Sequence, residues 1–173
     1  MALDVNFPEP VLTCLAEFLV DVELIPVRRV DPALSDLDDR ALMLALRQEG
    51  FDWLITNNYR MLRNPSELAA ILKARMKIFA IQGLGSDPLR ATGALLLDLP
   101  GAIRRSRSGR SEVFWSRPRN PEPQDPWDLL QRAASHRHQE AAVLYEEVAV
   151  SDEEAARPWR GGPDADGGPV AAR

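Results

Sequence analysis

Short apolar runs alternate with amphipathic stretches along the first two thirds of the chain, and this alternation restricts the fold more than any other feature of the sequence. Short apolar runs bounded by polar and turn residues are typical of buried strands, whereas apolar side chains at helical spacing indicate helices that bury one face. A chain that alternates the two forms parallel βαβ units, with helices on both faces of the sheet. The predicted fold class is therefore α/β, a three-layer sandwich around a central parallel sheet.

The pattern predicts a first domain over residues 1–119. Its predicted strands are Met1–Asn6, Glu23–Val30, Phe51–Thr56, Lys77–Gln82 and Glu112–Ser116. Capping residues, first-turn prolines and glycine stops predict the helices between them. These helices are Pro8–Leu19, Ser35–Glu49, Leu68–Arg75, and a further helix that starts at Asp87-Pro88 and reaches Pro100-Gly101.

The composition changes after Arg119. Residues 1–119 carry 16 Lys and Arg against 15 Asp and Glu, whereas residues 120–173 carry 5 against 11. Three prolines predict a linker over 120–126, and apolar spacing predicts one amphipathic helix over 127–148. Residues 149–173 are acidic and rich in Gly, Pro and Ala, so we expect a disordered tail. This acidic part either folds back over basic residues of the domain, binds a partner, or acts as a spacer.

The sequence also bears on location. No window approaches the ~20 apolar residues that a membrane span needs, so we expect no membrane association. The start Met1-Ala2-Leu3-Asp4 has no basic stretch ahead of an apolar one, which argues against secretion. The single cysteine, Cys14, excludes an internal disulfide framework and a thiolate-rich zinc site. The predicted setting is the cytoplasm.

Arginines cluster in one segment of the otherwise balanced domain. The sixteen residues from 104 to 119 contain one acid, Glu112, and six arginines, which are Arg104, Arg105, Arg107, Arg110, Arg117 and Arg119. A local basic segment binds phosphate even when the global charge is negative. The alternative is a solvated, arginine-rich loop without a ligand.

Polar residues follow three of the predicted strands. Asp4 ends the first strand, Asp39 lies with Asp36 and Asp38 after the second, and Asn57-Asn58 follow the third. Ligands of open parallel sheets collect at the carboxyl ends of the strands. Carboxylates that converge there repel each other unless a cation lies between them, and oxygen ligands suit Mg²⁺ or Mn²⁺. Asp36 and Asp38 have an alternative role as helix caps, whereas Asp4 has no evident structural one.

The chain resembles a known family, the PIN-like domains of VapC-type toxin ribonucleases, and in particular a short divergent branch of that group. The resemblance covers roughly residues 1–118 and rests on an ordered set of segments. These are Leu3-Asp4-Val5-Asn6-Phe7-Pro8, Ser35-Asp36-Leu37-Asp38-Asp39-Arg40-Ala41-Leu42, Leu54-Ile55-Thr56-Asn57-Asn58-Tyr59-Arg60, Asn64-Pro65-Ser66-Glu67-Leu68 and Ile78-Phe79-Ala80-Ile81.

The resemblance implies a metal-dependent endoribonuclease with an acidic cleft. The family's first two acids fall on Asp4 and Asp39, and its third, in a Thr-x-Asp motif, falls on Asn58. An amide offers an oxygen to a metal but brings no negative charge, so divalent binding is weakened. Asp36, Asp38 or Glu67 could compensate for the missing charge.

The implied catalytic residues are thus Asp4, Asp39 and Asn58, with Asp36 as a further metal ligand for Mg²⁺ or Mn²⁺. The implied RNA contacts are Arg60, Arg63, Arg104, Arg105, Arg107 and Arg110. The implied partners are RNA, an antitoxin protein and a second copy of the chain.

Two functions from different classes therefore stand. The first is a metal-dependent endoribonuclease of toxin type. The second is a PIN-like domain that has lost catalysis and serves as an RNA-binding or protein-interaction module, which Asn58 and the acidic tail favour.

Overall fold

The described strands form one sheet. In the computed structural model they are β1 (Ala2–Leu3), β2 (Ile25–Pro26), β3 (Trp53–Thr56), β4 (Lys77–Ile81), β5 (Glu112–Ser116) and β6 (Pro123–Gln124). The order across the sheet is β2-β1-β3-β4-β5-β6, with the first five strands parallel and β6 antiparallel to β5. The structure describes residues 1–4, 12, 15, 18, 19, 22–82, 87–116 and 123–159.

Helices cover both faces of this sheet. The α-helices are α1 (Val27–Val30), α2 (Asp39–Gln48), α3 (Pro65–Ala74), α4 (Pro88–Arg105), α5 (Pro126–His136), α6 (Ala141–Val148) and α7 (Asp152–Ala156). Two 3₁₀ helices, Pro32–Asp36 and Tyr59–Arg63, precede α2 and α3. The three-layer α/β architecture that the sequence predicts is confirmed.

The alternation of side chains along each strand divides the core into two parts. One face of the sheet, with Leu54 and Ile78, packs on buried residues of α2, α3, α5 and α6. The opposite face, with Ile55 and Phe79, packs on α4 and on the buried Leu15. The strands are apolar on both faces because both faces are covered.

Several predicted boundaries are wrong. The strand predicted over Glu23–Val30 pairs only at Ile25–Pro26, because proline has no N–H to continue the ladder, and α1 follows at once. The N-cap of α2 is Asp38, whose carboxylate accepts the N–H of Ala41 at 2.7 Å, so the helix does not begin at Ser35. The predicted helix Pro8–Leu19 falls largely outside the described residues.

The helix predicted to stop at Pro100 continues to Arg105. Its apolar stripe explains the continuation, because Leu95, Leu99 and Ala102 are fully buried against the sheet. Burial of this stripe offsets the hydrogen bond that Pro100 cannot make. Arg104 and Arg105 therefore occupy the last helical turn rather than an extended arm.

The C-terminal part differs most from expectation. The single helix predicted over 127–148 is two helices, α5 and α6, joined at His138 in a left-handed conformation (φ 55°). The stretch 135–140 contains no apolar residue that would hold a continuous helix on the core. The predicted 120–126 linker also differs, since its last residues form β6 and the start of α5.

Residues 149–159 of the predicted disordered tail are ordered against the domain. This segment, which we call the strap (residues 149–159), crosses α2, where Gln48 Nε2 donates to the carbonyls of Ala155 and Arg157 at 3.1 and 2.8 Å. The indole of Trp159 donates to Glu49 Oε1 at 3.0 Å. The strap therefore docks on α2 and not on the basic segment. Residues 160–173 lie outside the described residues.

A two-pronged ion pair fastens the strap. Arg40 donates from Nε to Glu154 Oε1 at 2.7 Å and from Nη2 to Oε2 at 2.8 Å. Arg40 also donates to the carbonyls of Ser66 at 3.0 Å and Val148 at 2.9 Å. One guanidinium thus joins α2, the first turn of α3 and the strap.

We expect this ion pair to make stability depend on pH. The hydrogen bond from Arg40 holds the pKa of Glu154 below its ordinary value of 4.5. A depressed carboxyl pKa stabilises the fold above its unfolded-state value, and that contribution is lost as pH falls through the folded value. The unfolding free energy of wild type should exceed that of Glu154→Gln at pH 7, and the difference should shrink below about pH 4.5. Urea unfolding at both pH values measures it, and a difference independent of pH would contradict the assignment.

Within the part of the chain that the structure describes, no helix combines the length and apolar character that a membrane crossing requires.

Candidate functional site

Three predicted site residues meet at the carboxyl edge of the sheet. Asp4 directly follows β1, and Asn58 lies two residues after β3, the neighbour of β1. Asp39 is the first residue of α2, which begins at this edge. The meeting follows from the topology, since parallel strands place their ends together and the following helices start there.

A chain of hydrogen bonds joins these residues. The hydroxyl of Thr56 donates to Asp4 Oδ2 at 2.6 Å and accepts the backbone N–H of Asn58 at 2.8 Å. Asn58 Nδ2 then donates to Asp39 Oδ2 at 2.8 Å. Thr56 uses its donor and an acceptor, so it fixes the orientation of both neighbours.

The site concentrates negative charge. Partial burial raises the pKa of Asp39 above its ordinary value, and the nearby charges of Asp4 and Asp38 raise it further. The hydrogen bond from Asn58 acts in the opposite direction. The carboxylate is thus a group whose charge the site does not fully compensate.

Glu67, in the first turn of α3, belongs to the same electrostatic group. Burial raises its pKa, as do the charges of Asp39 and Asp38, whereas a hydrogen bond from Asn64 lowers it. Its Oε1 accepts that bond from Asn64 Nδ2 at 2.6 Å. Its Oε2 is buried and has no hydrogen-bond partner in the described part of the chain, and the same is true of Asn57 Oδ1.

The donor set fits a hard divalent cation. The carboxylates of Asp4 and Asp39 and the amide of Asn58 supply oxygen ligands. Asp39 and Glu67 lie in the first turns of α2 and α3, where the positive end of the helix dipole favours anions. A buried carboxylate oxygen without a partner is costly, and a cation is one group that satisfies it. Within the described ranges, no three His, Cys, Asp or Glu side chains are arranged as a metal-ligand set.

The other predicted acids are placed differently. Asp36 is exposed at the end of the 3₁₀ helix Pro32–Asp36, ahead of α2. Asp38 caps α2, as the alternative interpretation of the sequence held, and acts on Asp39 through its charge. Of the three acids that could compensate for Asn58, Glu67 has a buried oxygen available.

The predicted RNA-contacting arginines divide into two groups. Arg60 and Arg63 lie on the 3₁₀ helix directly after Asn58, at the site edge, and both are exposed. The second group lies at the start of β5, the opposite edge of the sheet. This group comprises Arg104, Arg105, Arg107 and Arg110. Five residues of β5 separate the edges by roughly 16 Å along the strand.

Sequence reasoning missed the part that Thr56 plays and could not place Glu67. Thr56 stood in the Thr-x-Asn segment, two residues before Asn58, but only the structure shows its hydroxyl between two site residues. Glu67 has the sequence signature of a capping acid, and in the structure it lies in the first turn of α3 and accepts the side-chain N–H of Asn64.

No protein-family model matches the chain, and no curated protein and no solved structure is significantly similar to it.

Proposed function

We propose that the chain is a metal-dependent endoribonuclease of the PIN-like, VapC toxin type that works in the cytoplasm. The observation that carries the proposal is the hydrogen-bonded group of Asp4, Asn58 and Asp39 at the carboxyl edge of a parallel sheet. These are also the positions on which the family's three acids fall. The ordered sequence segments that resemble the family support the same assignment.

In this proposal Asp4, Asp39 and Asn58 hold Mg²⁺ or Mn²⁺. When bound, the ion activates water and offsets the charge that develops on an RNA phosphodiester. Thr56 keeps Asp4 oriented toward the site, and Asn58 contributes its amide oxygen. The raised pKa of Asp39 means that protons compete with the cation for this carboxylate more than they would at an ordinary aspartate. Arg60 and Arg63, at the same edge, contact the RNA backbone.

The experiment is cleavage of a structured RNA such as tRNA, with Mn²⁺, with Mg²⁺ and with chelator. We expect wild type to cut in either metal, chelator to stop cutting, and Asp4→Asn to lower the rate by about a hundredfold or more, since it removes one of two anionic ligands. Asp36→Asn is the matched control, because it removes an exposed acid on the 3₁₀ helix ahead of α2, outside the hydrogen-bonded group of Asp4, Asn58 and Asp39. Unchanged cleavage by Asp4→Asn would overturn the proposal.

A separate observation supports a second function. The amide N–H of Asn58 already donates to Asp39, and so neutralises part of the charge that a cation would otherwise offset. This favours a PIN-like module that binds RNA or a protein without cutting. RNA affinity without divalent-dependent cleavage would select this alternative.

The proposal includes two protein partners, an antitoxin and a second copy of the chain. Leu89 and Leu97 on α4 are exposed, and each offers a protein partner apolar surface. Sedimentation of the purified chain, alone and with a candidate antitoxin, distinguishes the two.

A further inference from the structure

A cavity of about 540 Å³ opens between α5 and the sheet edge that also carries the candidate metal site. It is within the size range of sites that hold small ligands and single nucleotides. Arg63 comes from the 3₁₀ helix that follows Asn58, whereas Arg132, His136 and Arg137 come from the C-terminal part of the chain. Gln82 and Trp115 complete the polar and aromatic lining.

The charged side chains that line this cavity are all positive. Three arginines line it, and no carboxylate is among the described residues that do so. None of the three guanidiniums forms an ion pair with an acid in the described part of the chain; that of Arg63 lies 5.9 Å from the ring centre of Tyr59. Arginines that converge without anionic partners attract a phosphate group. The overall charge of the C-terminal part is negative, so this basic face is local.

An oriented aromatic ring accompanies the arginines. The indole of Trp115 donates from Nε1 to Gln124 Oε1 at 2.8 Å, and its ring packs 6.4 Å from that of Tyr59. These contacts hold the ring in place. A fixed aromatic face beside guanidiniums is the arrangement on which proteins stack single-stranded bases while they bind the backbone.

The position of the cavity relates it to the metal site. Gln82 follows β4, and Trp115 lies near the end of β5, at the sheet edge that also carries Asp4 and Asn58. Strands β3 and β5 are two positions apart, or about 10 Å at the usual strand spacing. The acidic site and the cavity are thus close enough for one single strand to contact both.

We propose that this cavity binds one nucleotide of a single-stranded RNA, with its base on Trp115 and its phosphates on Arg63, Arg132 and Arg137. The identity of the ligand rests on the proposed function, but binding here requires neither a metal nor cleavage. The C-terminal helix α5, which lies outside the segments that resemble the family, thereby becomes part of the RNA-binding surface.

The test is binding of a short fluorescein-labelled single-stranded oligoribonucleotide in chelator, followed by anisotropy as a function of salt. The double variant Arg132→Ala/Arg137→Ala should bind about tenfold or more weakly at low salt. The log–log salt slope should fall by about 1.4, or 0.7 for each lost phosphate contact. Both arginines are exposed, so the fold should tolerate the change.

The matched control is Arg47→Ala/Arg75→Ala, which removes the same charge from exposed positions at the C-terminal ends of α2 and α3, near the opposite sheet edge. It should leave affinity within about twofold and the salt slope unchanged. Tryptophan fluorescence adds a local readout, because RNA binding should quench the emission of Trp115, and this quenching should disappear in Trp115→Phe.

The outcomes separate the two proposals. Equal losses in both double variants, or a loss in the Arg47/Arg75 pair alone, would overturn the cavity assignment and leave the nuclease proposal standing. Loss confined to the Arg132/Arg137 pair, in a protein that never cuts RNA, would support the cavity and overturn the nuclease. Inorganic phosphate and a free mononucleotide serve as competitors of the labelled RNA. If inorganic phosphate competes as strongly as the mononucleotide, the base contributes nothing to binding, and base stacking is contradicted.

Discussion

Asn58→Asp is expected to destabilise the protein in chelator and to make its stability depend on Mn²⁺. The change removes the N–H that Asn58 donates to Asp39 and replaces it with a third negative charge. We expect a loss of about 2 kcal/mol in unfolding free energy, or roughly 4–8 °C in melting temperature. Added Mn²⁺ should recover about 2.7 kcal/mol at a concentration 100 times its Kd.

The same substitution should raise Mn²⁺ affinity on the order of tenfold, because ligand charge sets the strength of hard-cation sites. Calorimetric titration measures the affinity, and cleavage assays show whether activity follows. Ser35→Asp is the charge-matched control, since it adds a carboxylate to an exposed position near α2. An Asn58→Asp protein as stable as wild type in chelator, with no response to Mn²⁺, would show that Asp39 and residue 58 do not share a cation.

Arg40→Ala is expected to lower the unfolding free energy by about 3 kcal/mol. The substitution breaks the paired bonds to Glu154 and removes the donors to Ser66 and Val148, and a partly buried carboxylate and two carbonyls lose their partner. The strap should separate from α2, and amide hydrogen exchange over Asp152–Ala156 should become faster.

The matched control lies on the same helix. Arg47 pairs with Asp52 in a more exposed setting, so Arg47→Ala should cost less than about 1 kcal/mol. Arg40→Lys should restore little, because an ammonium cannot reproduce the forked contact. Urea unfolding measures all three variants. Equal effects of Arg40→Ala and Arg47→Ala would mean that the ion pair does not hold the strap.

Arg40 also affects the candidate site, because of its place in the chain. It follows Asp39 directly, and its contacts join α2 to the first turn of α3, which carries Glu67. Loss of Arg40 should therefore loosen the packing of α2 against α3, and with it the positions of Asp39 and Glu67, as well as the strap.

The parts of the fold that follow local rules could be predicted. Asn64 and Pro65 begin α3 as their types indicate, and β3 and β5 lie inside the apolar runs assigned to them. The edge position of Asp4 and Asn58 followed from the same reasoning, since each lies within two residues of the end of a buried run. Local apolar spacing and capping chemistry carry this information along the chain itself.

Other features depend on contacts between distant residues. Local rules place a helix end at Pro100, but burial of the stripe through Ala102 carries α4 on to the far edge of the sheet. A composition typical of disorder did not reveal that Glu154 meets a guanidinium 114 residues away. Both outcomes are decided by packing and pairing partners that local sequence does not specify.

By itself, the sequence determined an α/β fold with polar residues at the ends of its first and third strands, because periodicity and capping are local properties. Only the tertiary structure decided that Thr56 joins Asp4 to Asn58, that Glu67 carries a buried oxygen without a partner among the described residues, and that the C-terminal arginines line a cavity at the site edge. Each of these depends on which side chains the folded chain brings within a few ångströms of one another, and such distances are properties of the packed core.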